Sequence, residues 1–276
     1  MHEGAGQEKR AHADLALIES RALTDWIFIR GLVREAAHWG DFAHDFAAAF
    51  PEARVHFLDL PGNGDTNLEK TPLTVAAMTD EIRSEARLKC SSKPSLLGLS
   101  LGGMVACDWA QRFANELSAI VLVNTSFGGY SPPHHRLRAA AVRTLLGALG
   151  ERDLVRKERA HLAITSNRPE VHDAIAARWA GVARARPVSQ ENAVRQLLAA
   201  ARFRPAREAP SVPHLILCGA GDKLVQPACS RIIAETWNAP LHEHPTAGHD
   251  LSLDAGDWMI SEIRDWLAVA THGQPL

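Results

Sequence analysis

The sequence predicts an α/β fold: a mostly parallel sheet of about six strands with helices on both faces and a four-helix insertion between two of the strands. Three observations carry this reading. Short apolar runs at 26–29, 55–58, 95–97, 119–123 and 214–218 alternate with segments of helical periodicity, the pattern of a parallel sheet covered on both sides. The alternation stops between about 127 and 208, where every segment is helical, and then resumes. One strand runs into Gly98-Leu99-Ser100-Leu101-Gly102 and straight on into a helical pattern, the sequence of a nucleophile elbow.

With 276 residues, 46% of them hydrophobic, the chain can bury a large core, which excludes disordered and collagen-like classes. It has no uninterrupted apolar run of membrane-spanning length, and residues 1–10 are polar with no apolar stretch behind them. The expectation is a soluble, cytoplasmic protein. Cys90, Cys107, Cys218 and Cys229 show no paired spacing and read as free thiols, with Cys107 and Cys218 as small core residues.

Taken in order, residues 1–22 contain no clear strand and read as a lead-in, so the sheet is expected to begin late. The first strand, 26–29, ends in Arg30-Gly31-Leu32. Ala36, Trp39, Phe42, Phe46 and Phe50 then mark an amphipathic helix that Pro51 stops. The strand at 55–58 runs into Asp59-Leu60-Pro61-Gly62-Asn63-Gly64, whose proline and glycines specify a tight loop. A helix over 71–88 leads to the strand and elbow at 95–102. Beyond the elbow, Leu101, Met104, Val105, Trp109 and Phe113 recur at helical spacing, while Gly102, Gly103 and Ala106 let that helix lie close to the sheet.

Helices are expected near 136–149, 151–165, 169–184 and 189–203, broken at Gly150, Pro169 and Pro187. The strand at 214–218, a helix over 227–237, a short strand at 240–243 and a helix over 254–269 complete the chain. This divides it into a core of residues 1–126 and 209–276 and a helical cap of residues 127–208.

Loops at the carboxyl ends of parallel strands are where reactive groups collect. Three of them carry Ser100, Asp222 and His249, in that chain order. A serine hydroxyl needs a base within hydrogen-bond reach, and the base needs an acid to fix its tautomer and stabilise its charged form. Ser100, His249 and Asp222 supply those three groups. Gly-x-Ser-x-Gly alone is weak, arising by chance in about one chain in ten of this length when each fixed residue has roughly 7% usage. Four ordered motifs are far more specific.

On Gly98 to Gly103, Asp59 to Gly64, Gly221-Asp222-Lys223-Leu224-Val225-Gln226-Pro227 and Ala247-Gly248-His249-Asp250, nearly the whole chain resembles the α/β-hydrolase superfamily. Within it, the elbow and the four-helix insertion are most similar to the small carboxylesterases that act on pimeloyl-carrier-protein methyl ester. The resemblance implies an oxyanion hole from the backbone N–H groups of Leu101 and Leu32, with no cofactor and no metal. Arg30 stands where that family has histidine, so it either braces the loop or meets an anionic substrate group. Asn124 stands where some members carry the acid. Asp59 reads as a loop brace, Trp39, Trp109, Trp179 and Trp258 as core, and His38, His134, His135 and His161 as surface or packing residues.

The implied activity is a serine carboxylesterase. A thioesterase, an acyltransferase, a carbon–carbon bond hydrolase or a ligand receptor with negligible turnover would keep the same triad. Charge adds a separate clue: residues 130–207 carry 15 Arg plus Lys and 6 Asp plus Glu, a net of +9, against −11 for the rest. A basic cap would draw an anionic substrate or an acidic acyl carrier protein, or it simply solvates the outer helix faces. The basic segment lacks interleaved aromatics, which argues against nucleic acid.

Overall fold

The computed structural model describes residues 25–271. The lead-in at 1–22 lies outside the described residues. Among the described residues, six parallel strands form one sheet in the order β2-β1-β3-β4-β5-β6: β1 Asp25–Ile29, β2 Arg54–Phe57, β3 Ser95–Leu99, β4 Ala119–Val123, β5 His214–Gly219 and β6 Leu241–His244. The helices are α1 Asp41–Ala49, α2 Val75–Lys89, α3 Leu101–Arg112, α4 Pro133–Arg136, α5 Ala139–Leu149, α6 Leu154–Thr165, α7 His172–Ala185, α8 Gln190–Arg202, α9 Ala228–Trp237, α10 Leu251–Asp254 and α11 Gly256–Thr271. None is long and apolar enough to cross a membrane.

Strand alternation divides the core into two layers. Trp26, Phe28, Leu97, Leu99, Val121, Val123, Leu215 and Leu217 face α1 and α11, packing on Phe42, Phe46, Met259, Ile263 and Trp266. Ile27, Ile29, Leu96, Ile120, Leu122 and Ile216 face the other way, onto Met78, Ile82, Val105, Trp109, Ile233 and Trp237 of α2, α3 and α9. Both faces are covered, which is why these strands read as continuous apolar runs.

The strand order also locates the site. From β1 the chain moves outward to β2, then returns across β1 to β3 and proceeds the other way. The loops after β1 and β3 therefore leave their strands in opposite directions and open a crevice at the carboxyl edge.

Several element boundaries shift from the sequence reading for identifiable reasons. The helix expected from Ala36 to Phe50 is split at Gly40, whose φ is 54°, into a 3-10 turn at Ala36–Trp39 and α1. The 71–88 helix begins at Val75, where the Thr74 hydroxyl caps Ala77 N–H at 3.2 Å. The segment expected as one helix near 136–149 is interrupted at Leu137 and Arg138, because the Arg138 backbone N–H donates to the carbonyl of Leu224 at 3.0 Å. The last helix, expected over 254–269, is α11, and the short α10 precedes it. Between β4 and β5 the described residues form helices and no strand.

Candidate active site

Ser100 sits where β3 turns into α3, at φ 59° and ψ −114°, a conformation that L-residues rarely adopt. Hydrogen bonds on both sides hold it there. Its N–H donates to Val123 O at 2.9 Å, and its carbonyl accepts from Met104 N–H at 3.2 Å and the Thr125 hydroxyl at 2.8 Å. The glycines follow from the same turn. A side chain at Gly98 would stand 2.5 Å from Gly102 O, and one at Gly102 would collide with the carbonyl of Ile29. A Cβ at Gly31 would lie 3.0 Å from Ser100 Cβ, 3.2 Å from Leu99 O and 3.5 Å from Ser100 Oγ, so a side chain there would crowd the serine where the loop after β1 passes it.

Asp222 and His249, far apart in sequence, meet in the structure: His249 Nδ1 lies 2.7 Å from Asp222 Oδ2, both side chains at most 5% exposed. The other carboxylate oxygen accepts from Leu224 N–H at 2.7 Å and Val225 N–H at 2.9 Å, which fixes the group and leaves Oδ2 for the imidazole. With Nδ1 donating to Asp222, Nε2 is the nitrogen free to act as a base.

The Ser100 hydroxyl makes no hydrogen bond to His249 among the described residues. The backbone nevertheless ties the two residues together. Ser100 N–H is bonded to Val123, and the next residue, Asn124, donates its amide to Gly248 O at 3.1 Å and His249 O at 2.8 Å while accepting Gly219 N–H at 3.0 Å. Asn124 is buried and left-handed, with φ 47°. Its side chain faces main-chain carbonyls, so it acts as a clamp on the histidine loop.

The backbone N–H groups of Leu32 and Leu101 have no hydrogen-bond partner among the described residues. Leu101 directly follows Ser100, and Leu32 follows Gly31, which passes close to Ser100 beyond the end of the adjacent strand β1.

Arg30 braces the loop. Its guanidinium donates to Asp250 Oδ1 at 3.1 Å, Asp250 Oδ2 at 2.6 Å and Ser252 Oγ at 3.0 Å, and it lies 4.9 Å over the Trp39 ring. With its charge committed to Asp250, it offers little to an anionic substrate. Asp59 is likewise a brace, accepting Ala36 N–H at 2.7 Å.

Sequence reasoning missed a buried polar group joining the β1 loop to the insertion. Arg34 pairs with Glu158 of α6 at 2.8 Å, both side chains under 9% exposed, and stacks 4.7 Å over Trp179 of α7. Its Nη1 also faces His38 Nε2 at 3.2 Å. On its other side, His38 Nδ1 accepts from Glu35 N–H at 3.1 Å and lies 3.3 Å from Glu35 O. Burial and the charges of Arg34 and Arg30 hold His38 well below its ordinary pKa, hence neutral.

His161 of α6 is held neutral in the same way, by burial and then by Arg34 and His249. His38 packs edge-on against Trp179 with ring centroids 5.0 Å apart and His161 is half-buried, both within the packing role expected of them.

Two other features lie apart from this site. Asp25, His56 and Cys90 bring potential ligand atoms within 4.8 Å of one another, but the Asp25 carboxylate already accepts from Ser91, Ser92, His56 and Arg54. We read this as a hydrogen-bonded knot at the opposite edge of the sheet. An open cavity of 420 Å³ bordered by Asp59, Thr66, Glu69, Asp80 and Glu85 contains none of Ser100, Asp222 and His249.

Comparison with known proteins agrees with the fold. The model of the alpha/beta hydrolase family matches residues 26–262. A pimeloyl-[acyl-carrier protein] methyl ester esterase from Chromobacterium violaceum is 29% identical over 220 residues, covering 77% of this chain and 83% of its own. Among solved structures, the enol-lactonase from Burkholderia xenovorans superposes with a TM-score of 0.72 at 21% identity, covering 89% of this chain and 92% of that one. A thermophilic esterase from Thermogutta terrifontis gives 0.67 at 22% identity, covering 88% and 89%.

Proposed function

Because the chain belongs to the alpha/beta hydrolase family, we propose that it is a serine esterase working through an acyl-enzyme, with Ser100 as nucleophile, His249 as base and Asp222 as the acid that orients it. The observation that carries this is the buried 2.7 Å contact from His249 Nδ1 to Asp222 Oδ2, together with a serine held at positive φ in the elbow.

In this mechanism His249 Nε2 takes the Ser100 hydroxyl proton as Oγ bonds to the ester carbonyl carbon. The carbonyl π pair moves onto oxygen, where the Leu32 and Leu101 N–H groups receive it. The tetrahedral species then reforms the carbonyl, the C–O bond to the alcohol breaks, and His249 returns the proton to the departing oxygen. Water, deprotonated by the same histidine, releases the acid and restores Ser100. Residues 127–208 act as the cap over this chemistry.

The substrate we infer has an anionic or carrier-linked acyl group. The carrier-protein ester named for the Chromobacterium relative supports this, as does the net +9 of residues 130–207. The basic surface is narrower than the sequence suggests. Arg136 donates to Ala200 O and Ala201 O, and Arg138 donates to Asp222 O at 2.8 Å, so both are braces. Arg143, Arg152, Arg156 and Arg159 remain exposed.

A fluorophosphonate probe, together with p-nitrophenyl esters of increasing chain length, tests the reading. Wild type is expected to be labelled at Ser100 and to turn over, with both lost in Ser100→Ala. Labelling that survives in the variant rejects the nucleophile. Labelling without turnover of any ester or thioester points instead to a receptor.

A further inference from the structure

The loop that carries Leu32 is fastened to the helical insertion by a one-way chain of hydrogen bonds. Val33 N–H donates to Gln196 Oε1 of α8 at 2.8 Å, Gln196 Nε2 donates to Asn63 Oδ1 at 2.6 Å, and Asn63 Nδ2 donates to Arg34 O at 2.8 Å. Gln196 and Asn63 are both fully buried. The two ends of the chain fix its polarity. A backbone N–H can only donate and a backbone carbonyl can only accept, so turning either amide over would set two donors or two acceptors face to face.

Both ends also lie on adjacent residues of one turn, closed by Arg34 N–H to Gly31 O at 3.2 Å. Its third residue, Val33, has φ 59°. A turn of this kind favours glycine there, and a β-branched residue holds that conformation only when its surroundings enforce it. The enforcement comes from the insertion. Besides Gln196, the Arg34–Glu158 pair, the Arg34 stack on Trp179 and the hydrogen-bonded pair of Glu35 with Arg186 tie residues 33–35 to α6, α7 and the end of α7.

We propose that Gln196 is a positioning residue for the oxyanion hole. By holding Val33 in its strained turn, it aims the N–H of Leu32 one residue upstream, so seating of the insertion and oxyanion stabilisation rise and fall together. This rests on the serine-esterase reading above, in which Leu32 is an oxyanion donor. It makes α8 part of the catalytic scaffold as well as a roof over it.

The test uses two variants. Gln196→Met keeps size and removes both the acceptor and the donor. Gln196→Glu reproduces both only when protonated, its carbonyl accepting from Val33 N–H and its hydroxyl donating to Asn63 Oδ1. Loss of a whole oxyanion donor costs about 100- to 1000-fold in kcat, so misaiming one should cost about tenfold.

We expect Gln196→Met to lower kcat on p-nitrophenyl butyrate about tenfold with KM within about twofold, and to slow fluorophosphonate labelling of Ser100 in parallel. The activity of Gln196→Glu relative to wild type should be higher at pH 6 than at pH 8. Wild-type kcat in Gln196→Met, with only a lower unfolding midpoint, would overturn the proposal by leaving the relay a purely structural role. If Gln196→Met fails to fold, a pH-independent activity ratio for Gln196→Glu overturns it instead. Failure of the parent reading is distinguishable, because it would appear in wild type as absence of both labelling and turnover.

Discussion

The guanidinium of Arg30 grips the carboxylate of Asp250 through two hydrogen bonds of 3.1 and 2.6 Å, with both side chains at most 4% exposed. Asp250 adjoins His249, so this pair fastens the loop after β1 to the loop that carries the base. Burial alone would raise the Asp250 carboxyl, but the charge and hydrogen bonds of Arg30, with the Ser252 hydroxyl, hold it below its ordinary value. A depressed carboxyl contributes stability above its unfolded value of 3.8 and loses it as pH falls through the folded value, so the pair is intact at neutral pH.

Arg30→Met should therefore leave an unpaired buried carboxylate and cost about 3–5 kcal/mol in urea unfolding at pH 7. The double variant Arg30→Met/Asp250→Leu removes both charges and should recover most of that loss. A single variant as stable as wild type would show that the pair holds nothing.

Asp59 should give the opposite pH signature. Burial, against the opposing hydrogen bond from Ala36 N–H and with the nearby charges of Glu35 and Asp65, pushes its carboxyl up from 3.8 to about 6. Between those values the folded state keeps a proton that the unfolded chain has released, so stability falls as pH rises through this window. A shift of about two units corresponds to about 3 kcal/mol by pH 7. Asp59→Asn keeps an acceptor for Ala36 and should flatten the slope between pH 4 and 6. Urea midpoints of the two proteins across that range measure the difference, and parallel curves would refute it.

How much of this was legible in the sequence depends on the range of the interaction concerned. The elbow could be read because Gly98, Ser100 and Gly102 act within one turn, where sequence spacing and spatial distance are nearly the same. The strands could be read because both faces of each are buried. The acid and base were legible only as ordered motifs, and their 2.7 Å contact is a product of the fold. Gln196 and Glu158 could not be recognised. On amphipathic helices they look like ordinary polar positions, and only the docking of α6 and α8 on the β1 loop shows that they are buried. Arg30 had two open roles until Asp250 was found opposite it.

Asn124 should prove both a stability and an activity residue. Asn124→Ala strips partners from Gly219 N–H, Gly248 O and His249 O and places a side chain with no local hydrogen bond at φ 47°. The expected loss is about 2–4 kcal/mol, with a fall in kcat because the His249 loop is loosened. Asn124→Gly loses the same bonds without the left-handed penalty, so it should be about 1 kcal/mol more stable than the alanine variant. Equal stabilities would mean that the left-handed backbone relaxes in the variants.

The last expectation concerns the exposed arginines of the insertion. Arg156 lies 3.7 Å from Asp153 and Arg159 lies 2.8 Å from Asp173, so part of their field is cancelled locally, whereas no ion pair involves Arg143 or Arg152 among the described residues. If an acidic acyl carrier docks on this surface, Arg143→Glu/Arg152→Glu should lower kcat/KM on a carrier-linked ester severalfold at low salt, through slower encounter. Added salt should erase the difference, because surface fields decay over about 8 Å at physiological ionic strength. p-Nitrophenyl acetate, small and neutral, feels no such pull and should be hydrolysed equally by both proteins at every salt concentration. A charge-reversed protein that handles the carrier-linked ester as well as wild type at low salt would leave these arginines as solvating groups and turn the substrate search toward small free esters.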